Sequence, residues 1–263
     1  MAGNGSEGSR HDLTFIEHFS ELRRRIFHAL LGVAAAFAVI SFFMNDIMER
    51  LLAPYYRFLP EGQQTVSYIR ITEVFFIYMK IAAVLALFAA SPWVFYQLWR
   101  FISPGLRKTE RHLAVPFILA TSLFFLGGMV FCYIYILPVT FSFFLRFNQN
   151  YTNIVTLTAL WGFEIKMLMG IALTFETPIL IFFLTRFGLV STRTLLRKWR
   201  WVVVAGFIAA AVLTPSGDPV TQSLVAAPIL VLYVLGIFVS WIFRKRTSSY
   251  SEEAPAGNDS APR

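Results

Sequence analysis

Read from its N-terminus, the chain alternates between long apolar runs and polar connections. Apolar residues dominate from about Ile26 to Met44, Thr72 to Leu98, Leu113 to Leu137, Trp161 to Leu184, Trp201 to Leu213 and Leu224 to Phe243. Most of these runs reach the roughly 18 residues that cross a hydrocarbon core as helix, and none shows the strict alternation of a barrel strand. The pattern predicts an all-α integral membrane protein with six transmembrane helices. Residues 1–13 and 244–263 are small, polar or charged, which predicts disordered ends around one membrane domain, 14–243. The first apolar run is not expected to be a cleaved signal, because it is too long and follows a polar head of about 25 residues.

Prolines mark expected kinks at Pro92, Pro116, Pro138, Pro178 and Pro228, and Pro138 is expected to end the third span. The connection from Asn45 to Ile71 holds Pro54, Pro60, Gly62 and several aromatics, and reads as a structured cap. The fifth run is short. About 13 residues make roughly 20 Å of helix against a ~30 Å hydrocarbon core. Two readings stay open here: tilt with snorkelling of Lys198 and Arg200, or a locally thinned bilayer. No internal repeat is visible, unlike many transporters.

Charge orients the spans. Arg10, Arg23, Arg24 and Arg25 precede the first. Arg100, Arg107, Lys108 and Arg111 follow the second, and Arg186, Arg193, Arg197, Lys198 and Arg200 follow the fourth. Arg244, Lys245, Arg246 and Arg263 follow the sixth. The other side receives only Arg50, Arg57, Arg70 and Arg146. Both termini are therefore expected in the cytoplasm.

Composition agrees: 57% of residues are hydrophobic and 14% charged, with 28 Phe. The net charge of +8 is explained by this topology and does not call for nucleic acid. The one cysteine, Cys132, lies in an apolar run and reads as a packed core residue. No metal-ligand spacing, phosphate-binding loop, dinucleotide fingerprint or hydrolase elbow is present. No cofactor or metal is expected, and no enzyme chemistry.

The acidic residues carry the functional clues. Glu176, in TFETP, sits within the fourth span. There a carboxyl must face protein or water or hold its proton. One reading is a neutral acid bonded to backbone freed by Pro178; the other is a polar contact for a partner or substrate. Glu73 with Lys80, and Glu164 with Lys166, read as an ion-pair network at the outer boundary. Glu21 lies three and four residues before Arg24 and Arg25, which suits an ordinary helix ion pair. Glu110 has similar company in Arg107, Lys108 and Arg111. Two ionised carboxylates at one face also suit an arginine pair presented next to a hydrophobic segment.

HFSELRRRI, PWVFYQLWRFISPGLRKTER, TFETP and LTPSGDPVTQ together resemble the TatC family, the multispanning core subunits of twin-arginine protein translocases. The resemblance runs from about Thr14 to Phe243. It implies a concave, glove-shaped six-helix bundle that binds twin-arginine signal peptides and moves folded proteins using the proton-motive force. It implies TatA- and TatB-like single-span partners, contact with membrane lipid and a possible homo-oligomer within the complex. It places signal-peptide binding at Glu21 and Glu110, with Leu22, Arg23 and Phe101 beside them. Glu176 becomes the intramembrane acid, Asp218 and Gln222 fall on the last external turn, and Pro54 and Pro92 take structural positions. Arg107 and Thr109 depart from the family's frequent aromatic and histidine. The expected location is a prokaryotic cytoplasmic membrane.

The alternative is a secondary transporter of a small solute, with Glu176 and Lys80 as coupling sites. It predicts solute uptake by the purified protein alone. An intramembrane enzyme lacks support: His11, His18, His28 and His112 all fall at the cytoplasmic ends of spans.

Overall fold

The computed structural model describes residues 6–56, 66–103, 114–147, 155–214 and 218–242, and the backbone alone for residues 6–17 and 54. Its helices are α1 (Ser6–Phe42), α2 (Met44–Tyr56), α3 (Ile71–Ala89), α4 (Ser91–Ile102) and α5 (Ala114–Phe131). A π-helical turn, Cys132–Ile136, leads into α6 (Leu137–Phe147). There follow α7 (Leu157–Phe175), α8 (Thr177–Arg186), α9 (Thr192–Arg197), α10 (Trp199–Leu213) and α11 (Pro219–Ile242).

Five stretches are long and apolar enough to cross a bilayer: His18–Phe42, Ile71–Ala89, Ala114–Arg146, Leu157–Arg186 and Pro219–Ile242. The sixth apolar run folds as α10, whose 15 residues extend about 22 Å, short of a ~30 Å core. All six runs are thus helical, and five qualify as spans by length and composition.

Proline sets the breaks. It lacks an amide hydrogen, its ring crowds the carbonyl four residues back, and it disfavours helix in the residue before it. The second run accordingly breaks at Ala90, with Pro92 in the first turn of α4. The fourth breaks at Glu176, with Pro178 in the first turn of α8. The third does not end at Pro138, as expected, but continues to Phe147. The turn before the proline widens, so the Leu137 N–H reaches back to the Cys132 carbonyl. Pro138 then falls in the first turn of α6, where a missing donor costs least. At the other end α1 begins at Ser6, inside the head expected to be disordered. Extending an existing helix avoids the cost of nucleation. The tail expected to be disordered, 244–263, lies outside the described residues.

α1 packs on α3 and α4, α4 on α5, and both α3 and α5 on α7, while α8 and α10 pack on α11. The largest core cluster gathers around α7 and the π turn, and Cys132, Leu137, Met167, Ile171 and Ala172 are all 0% exposed. Cys132 is a packed core residue, as expected. Gly236 allows the tightest approach of α11 to α8, since a Cβ there would lie 2.8 Å from Pro178 Cα. Helices without a hydrophobic drive between them gain from such close backbone contact.

At the end away from the arginine clusters, α2 forms the first part of the structured cap expected in the first long connection. The Tyr133 hydroxyl, on the π turn, donates to the Arg50 carbonyl at 2.5 Å. Ser67 and Thr156 form an isolated parallel bridge. Ser67 N–H donates to Val155 O at 3.0 Å, and Leu157 N–H to Ser67 O at 2.8 Å. Glu73 secures the same corner. Its Oε2 accepts from the Ile69 and Arg70 amides at 2.9 and 3.2 Å, and its Oε1 from the Thr158 amide at 3.2 Å and the Thr158 hydroxyl.

Candidate functional site

At the arginine-rich end, α1 and α4 lie side by side. His18, Glu21, Arg25, His28 and Gly32 recur at three- and four-residue steps, so they share one face of α1. Phe101, Gln97 and Trp93 recur at four-residue steps on α4. The two strips meet in register. The His18 ring stacks on Phe101 with centroids 4.6 Å apart. The Arg25 guanidinium donates to Gln97 Oε1 at 3.4 Å. Trp93 Nε1 donates to the His28 carbonyl at 2.8 Å.

Glu21 sits between the first two of these contacts. Its Oε1 accepts from Arg25 Nε at 2.6 Å and lies 2.5 Å from Arg25 Nη2. The i to i+4 partner is engaged; the i+3 residue, Arg24, is not. Oε2 has no partner among the described residues. The Glu21 side chain is 33% exposed and that of Arg25 13%, so the pair opens toward solvent from the carboxylate side. Leu22 is half-buried beside it. Arg23 is not brought to Glu21: two residues turn a helix by about 200°, which puts it on the opposite face. There Phe19, Arg23, Ile26, Phe27 and Leu30 line an open groove of about 850 Å³. Glu110 lies outside the described residues, so one of the two expected carboxylates is placed. Pro92 is exposed at the start of α4, and Pro54 lies within α2.

Glu176 is the junction between α7 and α8 (φ −72°, ψ −14°). It lies ten residues from Arg186, roughly 15 Å along the helix and about half of a ~30 Å hydrocarbon core. The side chain is partly exposed, yet Oε1 is buried and unpartnered among the described residues. It does not bond to backbone freed by Pro178 through that oxygen.

The expected outer ion-pair network is absent among the described residues. Glu73 bonds to backbone and Thr158 instead of Lys80. Glu164 is not at a boundary but 1% exposed inside the bundle, with Oε1 unpartnered, while Lys166 is exposed. Glu164 and Lys166 are two positions apart, so they project from opposite faces of α7. The signal for a buried Glu164 was present in the register: Trp161, Glu164, Met167, Leu168 and Ile171 form one helical stripe, all buried.

Asp218 caps α11. Its Oδ1 accepts from the Val220 and Thr221 amides at 3.1 and 2.8 Å, and its Oδ2 from the Thr221 hydroxyl. Gln222 Nε2 donates to the Phe207 carbonyl at 2.9 Å, tying α11 to α10. Gln222 stands nearly four turns from Gly236, roughly 20 Å along α11, and Gly236 is where Pro178 packs. Glu176 and the Asp218–Gln222 turn are therefore separate features.

This architecture has known counterparts. The family model for TatC, the Sec-independent protein translocase protein, matches residues 17–228. The chain belongs to the TatC family. TatC of Koribacter versatilis (strain Ellin345) is 35% identical over 92% of this chain and 90% of its own length. TatC of Desulforapulum autotrophicum is 32% identical over 93% and 90%. A crystal structure of a twin arginine translocase receptor TatC superposes with a TM-score of 0.76 at 30% identity, covering 86% of this chain and 98% of that one. Membership of TatC makes the chain a protein translocase component rather than an enzyme, and it does not favour the solute transporter.

Proposed function

We propose that the chain is the receptor subunit of a twin-arginine translocase. It binds signal peptides with consecutive arginines at the cytoplasmic face of a prokaryotic cytoplasmic membrane and helps folded proteins cross at the expense of the proton-motive force. The observation that supports this most directly is the state of Glu21. Arg25 fixes one carboxylate oxygen and leaves the other open, ready to accept a charge-assisted bond from a peptide guanidinium. Glu110 supplies the second acceptor from the next cytoplasmic connection. Phe101 and Leu22 flank Glu21, and Arg23 borders the apolar groove on α1 that follows the hydrophobic part of the peptide. The arginine clusters hold both termini in the cytoplasm.

Glu176 is the contact for TatA- and TatB-like single-span subunits within a larger assembly. Its unpartnered oxygen lies at mid-depth, where a polar side chain of a neighbouring helix is its natural complement. Asp218 and Gln222 act by holding the α10–α11 hairpin in shape. The test is binding of a fluorescent twin-arginine signal peptide to the purified protein, compared with a twin-lysine peptide and with Glu21→Ala and Glu110→Ala. Binding that needs both arginines and weakens in either variant supports the assignment. Equal binding of both peptides by all three proteins removes it.

A further inference from the structure

The seam between α1 and α4 opens, beside Glu21, into a cleft of about 600 Å³ bounded by Arg24, Arg25, His28, Trp93, Tyr96 and Arg100. Among the described residues its charge is unbalanced. Arg25 is neutralised by Glu21. Arg24 and Arg100 have no carboxylate within ion-pair reach among the described residues. Arg100 is nonetheless held in place: its guanidinium carbon lies 5.8 Å from the centre of the Tyr96 ring, and Nη1 donates to the Tyr96 hydroxyl at 3.4 Å. Trp93 and Tyr96 form one aromatic wall with centroids 5.6 Å apart. The wall is built to stay. Gly32 makes room for the Trp93 ring, where a Cβ would lie 2.3 Å from Cδ1, and the indole N–H is already spent on the His28 carbonyl.

Two guanidinium groups with no carboxylate partner among the described residues, beside a Trp–Tyr wall at the end of two membrane helices, match one kind of ligand. Aromatic rings of this type settle at headgroup depth, and arginines there meet phosphate oxygens. We propose that this cleft seats the phosphate group of an anionic phospholipid, held by Arg24 and Arg100 against Trp93 and Tyr96. The same cations repel a peptide's arginines from this side of the seam, leaving the open Glu21 oxygen as their destination. The leaflet follows from the orientation proposed above; the site itself does not depend on it.

The experiment is thermal unfolding and lipid titration of the purified full-length protein in detergent. The probes are phosphatidylglycerol, phosphatidylcholine of the same chains, and inorganic phosphate. Phosphatidylglycerol should raise the midpoint and phosphatidylcholine should not. Apparent affinity should fall about fivefold for each of Arg24→Gln and Arg100→Gln. The double Arg24→Lys/Arg100→Lys protein, which keeps both charges, should retain most of it and serves as the folding control. Twin-arginine peptide binding by the Gln variants should persist. Equal stabilisation by phosphatidylcholine, or undiminished phosphatidylglycerol affinity in the double Gln protein, would overturn the site. Inorganic phosphate alone reproducing the shift would overturn the lipid assignment.

Discussion

Glu21 and Arg25 allow a receptor group to be told from a structural ion pair, because the two roles predict different signs. As a helix ion pair, the contact is worth ~0.3–0.5 kcal/mol, or close to 1 with two guanidinium nitrogens on one oxygen and partial burial. Removing either partner should then lower the midpoint of unfolding by no more than about 2 °C. As a receptor, Glu21 gives a charge-assisted bond worth ~1.5–3 kcal/mol. With a third of its side chain exposed, the lower figure applies, which is about tenfold in affinity. Arg25 acts the other way. A peptide guanidinium roughly 6 Å from it under water-like screening meets ~0.7 kcal/mol of repulsion, about threefold. Glu21→Gln should therefore weaken twin-arginine peptide binding about tenfold, while Arg25→Gln leaves it unchanged or up to about threefold tighter. Fluorescence anisotropy at two salt concentrations measures both, and the difference should shrink as salt rises. Equal losses in the two variants, with no further loss in the double variant, would show that only the pair matters and refute the receptor role.

Further substitutions test the surrounding structure. Gly32→Val should drive Trp93 from its notch and cost about 1–3 kcal/mol, seen as a lower unfolding midpoint and altered tryptophan emission; unchanged values would contradict the close approach. Glu164→Leu replaces a buried carboxyl, whose Oε1 has no partner among the described residues, with an apolar group of similar size and should raise stability by about 1–3 kcal/mol; a lowered midpoint would mean that Glu164 is satisfied by a group outside the described residues. Asp218→Ala should cost ~1 kcal/mol through loss of the α11 cap, with Asp218→Asn retaining most of it. Equal midpoints for Ala and Asn would argue against capping.

The helical runs were legible because crossing a bilayer demands length and apolarity at once, and few other constraints produce both. The breaks near Pro92 and Pro178 were legible for a similarly local reason. Pro138 was not, because its effect depends on the widened turn preceding it, and a π turn has no composition of its own. Nearness to the span's start suggests a boundary position for Glu164, whereas the stripe it shares with Trp161 and Met167 puts it inside the bundle. Glu21 was readable as a pair with a neighbour four residues on. That Gln97 would take the other end of Arg25, and Phe101 the His18 ring, required knowing how α1 meets α4. The cleft holding Arg24 and Arg100 was invisible for the same reason, since its walls come from two spans.

The bridge between Ser67 and Thr156 joins segments separated by the second and third spans. During synthesis, Glu73 is made well before Thr158. At 5–20 residues per second, the 85-residue separation takes about 4 to 17 s to emerge. For that time the start of α3 has its own Ile69 and Arg70 amides as partners for Glu73 but nothing from α7. The corner closes only when the fourth span arrives. This lock is thus a late event in biogenesis, and a chain halted after its third span would lack it.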